Sequence, residues 1–263
     1  MWQVLRRPRW VGYLALALLF GVITAGLGTW QWQRHESKVE RRAVVEANYD
    51  SAPVPLDDAL PVGSDLTEPQ RWTRVRATGT YLTEDQHLVR NRPHQGVYGY
   101  EVLVPLSLDD GTTLAVDRGW VPNAPTAAQL PEVPPAPGGE VTVTGWLLPS
   151  EADLGLDPVE GQLPSVDLDG LARATGLQVR GAYLVLDTED PAAQERPEPR
   201  AEPDTGLGAH LPYALQWWLT VPVGVILVVV MARREARDEG LVQARRTTGS
   251  EPRKVRIWDE EDA

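Results

Sequence analysis

The 263-residue chain contains no cysteine. That removes disulfides, thiolate metal sites and thiol redox chemistry from consideration. Methionine occurs only as Met1 and Met231, so a thioether copper chaperone finds no support. Lysine is almost as scarce, with Lys38 and Lys254 alone. Enzyme signatures are also missing: there is no G-x-S-x-G, H-E-x-x-H, phosphate loop or dinucleotide fingerprint. An anchored hydrolase would need a nucleophile–base pair that the sequence does not offer, and it reads as a non-enzyme. The middle of the chain is short of positive charge. Residues 33–209 hold 14 Lys/Arg against 29 Asp/Glu, net −15, while the rest is net +3, together the −12 of the whole chain. An acidic surface repels phosphate, so nucleic acid is excluded as a partner. The plain purpose of such acidity is solubility.

Two long apolar runs are present. Val11 to Trp30 carries no charge and is bracketed by Trp10 and Trp32. Leu211 to Ala232 is 22 residues without a charge, followed at once by Arg233 and Arg234. At ~1.5 Å per residue either run spans the ~30 Å hydrocarbon core of a bilayer. Tryptophan prefers the headgroup level, so the flanking rings read as interfacial anchors. A cleaved signal peptide is the alternative for the first run, but its length and the lack of an A-x-A site argue against that. Two spans place both tails on one side. Arg6, Arg7, Arg9, Arg233, Arg234 and Arg237 favour the cytoplasm for them, which leaves the loop outside.

That loop reads as β-rich. In "VYGYEVLVPLSL", Tyr98, Tyr100, Val102, Val104 and Leu106 share a face; in "TTLAVDRGWVP", Leu114, Val116 and Trp120 do, with Arg118 among them. Val141, Val143 and Leu147 alternate in "EVTVTGWLLP", and "RWTRVRATGTYL", "QHLVRNRP" and "GAYLVLD" are further strand candidates. Asp109-Asp110-Gly111 is a hairpin signal. "SVDLDGLARATG" carries cap candidates Ser165, Asp167 and Asp169 and the stop Gly176, so it predicts a helix. A second helix continues the first span through "QRHESKVERRAVVEANYD". Pro122–Gly139 reads as an exposed loop, and Asp190–Gly206 as an acidic, Pro-rich tether too poor in apolar groups to order itself. The charged tail after Arg237 reads as disordered. The predicted class is α+β: two transmembrane helices flanking a small β barrel or sandwich. Its parts are a tail 1–10, a span 11–32, a domain 33–189, a tether 190–209, a span 210–232 and a tail 233–263.

The candidate site residues follow from this layout. His210, Tyr213, Ala214 and Trp217 fall on one helical face at the mouth of the second span. Such a face suits a porphyrin, with imidazole to iron and aromatic rings on the macrocycle. The competing reading is an interfacial anchor. Pro212 lies where a first-turn proline is tolerated, and Pro222 lies deeper, where it kinks the helix. Ala17, Gly21 and Ala25, continued by Gly28 and Thr29, form a small-residue ridge suited to close helix packing. Arg92 and Arg118 suit a carboxylate such as a heme propionate or an acidic partner; the alternative is an internal salt bridge.

These pieces carry a resemblance. "LGTWQWQR" with Lys38 behind it, "RWTRVRATGTY", "VRNRPHQGVYGYEVLVPL", "GTTLAVDRGWVP", "VTVTGWLLP" and "HLPYALQWW" stand in the order seen in the Surfeit locus protein 1 family of cytochrome c oxidase assembly factors. The chain resembles a bacterial member of that family. The resemblance implies a two-span protein of the plasma membrane with a large external domain and no catalysis of its own. It implies assistance to heme a on its way to subunit I of the oxidase, with heme a synthase and subunit I as partners. It also implies a heme-ligating histidine on the second span, at the position of His210. A membrane-anchored interaction domain of a respiratory complex, without heme, is the alternative.

Overall fold

The computed structural model describes residues 2–126, 129–156 and 159–248. In chain order its elements are α1 (Trp2–Leu5), α2 (Pro8–Asn48), β1 (Val54–Pro55), α3 (Leu56–Ala59), β2 (Arg74–Tyr81), β3 (His87–His94), β4 (Val97–Leu108) and β5 (Thr113–Pro122). Then follow β6 (Glu140–Pro149), β7 (Gln162–Leu163), α4 (Leu168–Thr175), β8 (Val179–Asp190), α5 (His210–Thr220) and α6 (Val223–Thr248). They make two compact units, one from the chain ends up to Lys38 and from Leu207, the other from Val39 to Gly206. The class is α+β, as expected, with an apolar helix at each end of the chain and a mixed sheet between.

The sheet runs β1-β2-β6-β8-β5-β4-β3-β7, and β4 returns to β2 through Tyr81↔Leu106 and Gly79↔Leu108. The strands β2-β6-β8-β5-β4 therefore close on themselves into a small barrel. Closure needs Gly79: a Cβ there would stand 2.2 Å from the carbonyl oxygen of Ser107. The pairings are antiparallel except β1–β2, β3–β7 and β5–β8. Alternation decides which side chains fill the interior. Val75, Val102, Val104, Leu106, Leu114, Val116, Val141, Val143, Leu147 and Leu184 are buried there. The expected face of β4 holds through Leu106 but not at Tyr98, which is exposed near the tip of the β3–β4 hairpin. β5 is buried on both faces, because Leu168 and Leu171 of α4 cover Ala115, Tyr183 and Leu103 on its outer side. The hairpin at Asp109-Asp110-Gly111 forms, with Gly111 at φ +81° donating its N–H to the Leu108 carbonyl.

α4 begins after Asp167 and ends at Gly176 in the left-handed conformation, as the spacing predicts. Asp167 does not cap it through its side chain; its carboxylate accepts from Arg173 at 3.3 Å instead. α2 runs on past its apolar part to Asn48, whose side-chain amide donates to the carbonyls of Pro69 and Arg71, both at 2.8 Å. Next to it Tyr49 stacks on Trp146 at 4.3 Å and 2°, and the Trp146 indole donates to the Tyr49 carbonyl.

Three expectations need correction. The segment 190–206 is not a loose tether. Glu198 and Trp120 exchange backbone hydrogen bonds at 2.7 and 2.8 Å, and Arg200 reaches buried carboxylates. Backbone pairing and one cation hold a segment that apolar burial alone would not. The loop 122–139 is not exposed throughout, since Val133 and Ala136 pack against the barrel core; Ala127 and Ala128 lie outside the described residues. The region after Arg237 is helical to Thr248, and the rest of that tail, 249–263, lies outside the described residues. Arg7 binds Glu235 and Glu239 across the unit at 2.6 Å, which ties that helix to the start of the chain.

Candidate functional site

Two helical runs, Pro8–Asn48 and His210–Gly240, are long and apolar enough to cross a membrane. Only 22% and 11% of their most apolar stretches are buried, whereas a core helix of a globular domain is mostly buried. Within this unit they pack antiparallel along a seam of small residues. A Cβ added to Gly224 would stand 3.3 Å from Ala17, one added to Gly21 would stand 3.3 Å from the Val221 carbonyl oxygen, and one added to Gly28 would lie 2.4 Å from the Trp218 indole. The missing side chains are what let the backbones approach. The seam on α2 is Ala17, Gly21, Thr24 and Gly28, with Ala214, Val228 and Ala232 buried opposite. The expected ridge is right at Ala17, Gly21 and Gly28. It turns through Thr24 instead of Ala25, because alternating steps of four and three keep a seam facing its partner. Pro222 interrupts the second run as expected. It lies between α5 and α6, where it offers no N–H and the Val221 N–H turns back to Trp218 at 3.2 Å.

Continued by the same steps, the seam reaches Gln31 and His35 on α2 and His210 on α5. There His210 Nδ1 donates to Gln31 Oε1 at 2.8 Å. An amide oxygen only accepts, so Nδ1 carries a proton, and in the neutral imidazole the lone pair is then on Nε2. Gly208, at φ +64°, lies beside that edge of the ring; a Cβ there would stand 3.5 Å from Nε2. Trp32 packs near both Trp218 and His35, with ring centroids 5.8 and 6.1 Å away. The expected face of His210, Tyr213, Ala214 and Trp217 is not intact as an open surface. Ala214 is fully buried and Trp217 half-buried, while Tyr213 turns outward. Ala214 thus provides clearance for helix packing.

The two domain arginines have taken the internal-salt-bridge role. The Arg118 side chain is 0% exposed, and its Nη2 donates to Glu189 Oε1 at 2.9 Å. Its other donors reach the Pro134 and Pro135 carbonyls, and it lies over the Tyr81 ring. The Tyr81 hydroxyl donates to the same Glu189 at 2.9 Å, and burial with this anion beside it pushes the phenol up. Arg92 binds Glu151, and its Nε lies 3.0 Å from Glu101 Oε2, an ion pair not aligned as a hydrogen bond.

A third arginine, Arg200, was not singled out in the sequence. It stands 3.3 Å from Asp117, 3.6 Å from Glu101 and 3.2 Å from the Tyr183 hydroxyl. Burial, then repulsion from Glu101, pushes the Asp117 carboxyl up to about 7 despite Arg200. Burial also raises Glu101, against the pull of Arg200 and Arg92. Among the described residues no cluster of three His, Cys, Asp or Glu side chains is placed to hold a bare metal ion. What the helix pair offers as a donor is the remaining ring nitrogen of His210, Nε2, once Nδ1 is engaged by Gln31.

Comparison with known proteins identifies relatives of the chain. The model of the SURF1 family matches residues 18–220. An uncharacterized SURF1-like protein of Mycobacterium tuberculosis is 33% identical over 234 residues, 84% of this chain and 83% of that one. The cytochrome oxidase assembly protein SHY1 of Saccharomyces cerevisiae is 32% identical over 120 residues, 44% of this chain and 30% of that one. Surfeit locus protein 1 of Arabidopsis thaliana is 25% identical over 261 residues, 77% and 73% of the two chains.

Proposed function

The chain belongs to the SURF1 family, and from that premise we propose that it is a membrane-anchored assembly factor of cytochrome c oxidase that assists heme a on its way to subunit I. The assembly role is supported by likeness to the yeast oxidase assembly protein. One observation supports the heme role: His210 stands at the start of α5 with Nδ1 engaged by Gln31, so that Nε2 is the ring nitrogen left for a ligand. Imidazole Nε2 is a common axial base for heme iron. Trp32, Trp217 and Trp218 stand on the same stretch of the helix pair and supply aromatic surface for a macrocycle. When bound, heme a is cargo. The chain's own work is to hold it at one axial position and then release it to the oxidase. The protein lies in the bacterial plasma membrane with both tails cytoplasmic and the β domain outside, the side favoured by the arginines near the tails. Its partners in this reading are subunit I and heme a synthase.

A clean deletion strain tests the role. Oxidase activity and the heme a content of the membranes fall while the oxidase subunits are still made. Restoring the gene with His210→Ala leaves the defect in place. Normal oxidase activity in the deletion strain refutes the assembly role. Full rescue by His210→Ala refutes the heme part alone and leaves an anchored scaffold.

A further inference from the structure

The hydrogen bond between the two membrane helices points to a second residue in the heme step. We infer that Gln31 is a positioning residue: its side-chain oxygen sets the tautomer and direction of His210 and so presents Nε2 to heme iron. This rests on the reading of His210 as the axial ligand. The argument begins with donor chemistry. Neutral imidazole carries one N–H, and either ring nitrogen takes it. Free of partners, the ring distributes the proton between the two and rotates about its side-chain bonds. A carbonyl oxygen 2.8 Å from Nδ1 accepts only from the Nδ1–H form, and that form alone has a lone pair on Nε2. Metal-bound histidines generally donate their second N–H in this way, and loss of the partner weakens metal binding about 10–100-fold.

The position of Gln31 makes it a suitable partner. It lies on the small-residue seam, one turn beyond Gly28, where the Trp218 indole closes on the missing Cβ. The Trp218 indole therefore packs directly on the α2 backbone just below the contact, and the Gln31 side chain reaches His210 beyond it. Gln31 is half-buried, which shields the bond from competing solvent. The ring edge carrying Nε2 faces Gly208, where no side chain intrudes. The ring is thus fixed from α2, with glycine and not a larger residue beside the ligand nitrogen. Helix pairing and metal binding are coupled here, because anything that shifts α2 along α5 also breaks the Gln31–His210 bond.

The test uses the full-length protein in detergent, titrated with hemin and followed by its absorbance and by redox titration. Gln31→Leu weakens hemin binding about 10–100-fold. Gln31→Glu retains binding but moves the reduction potential to a more negative value, because a carboxylate draws the Nδ1 proton and makes Nε2 a stronger donor. A residue that only packs the helices would not shift the potential of a heme that stays bound. If Gln31→Leu fails to fold, as judged by circular dichroism, Gln31→Glu decides. His210→Ala separates the two readings. Loss of the heme spectrum in His210→Ala, with wild-type affinity in Gln31→Leu and an unchanged potential in Gln31→Glu, overturns the role of Gln31 alone. A wild-type spectrum in His210→Ala overturns the axial-ligand reading and the role of Gln31 with it.

Discussion

Replacing Arg118 by Met separates a structural cation from a ligand-binding one. The wild-type guanidinium is sealed from solvent and serves Glu189, two proline carbonyls and the face of Tyr81. Met fills much of the volume and supplies none of the donors. Glu189, itself 3% exposed along its side chain, then keeps only the Tyr81 hydroxyl. Removing one partner of a buried pair leaves an uncompensated charge and costs roughly 3–5 kcal/mol. Against a total of about 5–15 kcal/mol for a domain, that is a large fraction. At roughly 2–4 °C per kcal/mol for a domain of this size, the midpoint falls by on the order of 10 °C. Thermal unfolding in detergent, followed by tryptophan emission, reads this directly. Because the penalty comes from the stranded anion, Glu189→Gln added to Arg118→Met recovers a substantial part of the loss. Two results refute this reasoning. One is an Arg118→Met protein within about 0.5 kcal/mol of wild type, the scatter of ordinary surface changes. The other is a double variant less stable than the single.

Asp117 gives the domain a distinctive pH dependence. Its folded carboxyl lies at about 7, above the ~3.9 of an unfolded aspartate, so the folded state holds a proton that the unfolded state releases. Stability therefore falls as pH rises from about 4 to about 7 and levels above that. Raised Glu101 acts in the same direction. Glu151, lowered because its hydrogen bonds from Arg92 and the Val166 N–H outweigh burial, loses its contribution only as pH falls below the ordinary carboxylate range. Urea unfolding of the wild type at pH 5 and pH 8 shows the greater stability at pH 5. Asp117→Asn reduces the difference, and an unchanged or reversed slope rejects the assignment. In the helix pair, Gly28→Val drives a side chain into the Trp218 indole and destabilises by about 1–3 kcal/mol, the usual cost of overpacking. Gly26→Val, whose Cβ has nothing within 4 Å, is the control. Thermal circular dichroism distinguishes the two, and equal melting would mean that the seam does not run through Gly28.

Local patterns in the sequence reached the strands, α4 and most of the helix seam, because each depends on neighbours a few residues away. Val141, Val143 and Leu147 point inward since a strand alternates, whatever lies across from it. Gly28 falls on the ridge since helical spacing puts it there. An internal salt bridge was a legible role for the arginines, but their partners were not, for the opposite reason. Glu189 stands 71 residues from Arg118, and nothing local links them. Segment 190–206 misled through its composition. Its order comes from backbone hydrogen bonds between Glu198 and Trp120 and from Arg200 at Asp117, which hydropathy does not register. Gln31 was within reach, because the steps from Ala17 through Gly21, Thr24 and Gly28 arrive at it. The aromatic run "TWQWQR" reads first as an interfacial belt and hides the glutamine among its anchors.

The distribution of satisfied and open groups bears on the proposed work. Arg118 and Arg92 are consumed by carboxylates within the β domain, so neither is free to hold a heme propionate. The open base belongs to the helix pair, and its fixing partner belongs to the same pair. In the proposed reading heme would be held there by His210, and Arg92 and Arg118 would not be the groups that grip its carboxylates. Such a hold suits a donor. Net transfer requires the acceptor to bind more tightly, and each 1.4 kcal/mol by which it does so gives a tenfold preference. A carrier with two strong axial ligands and clamped propionates would narrow that difference and slow release. In the proposed reading a single histidine, aligned by one glutamine, would hold the cargo through one ring nitrogen and would give it up to a recipient that binds more tightly.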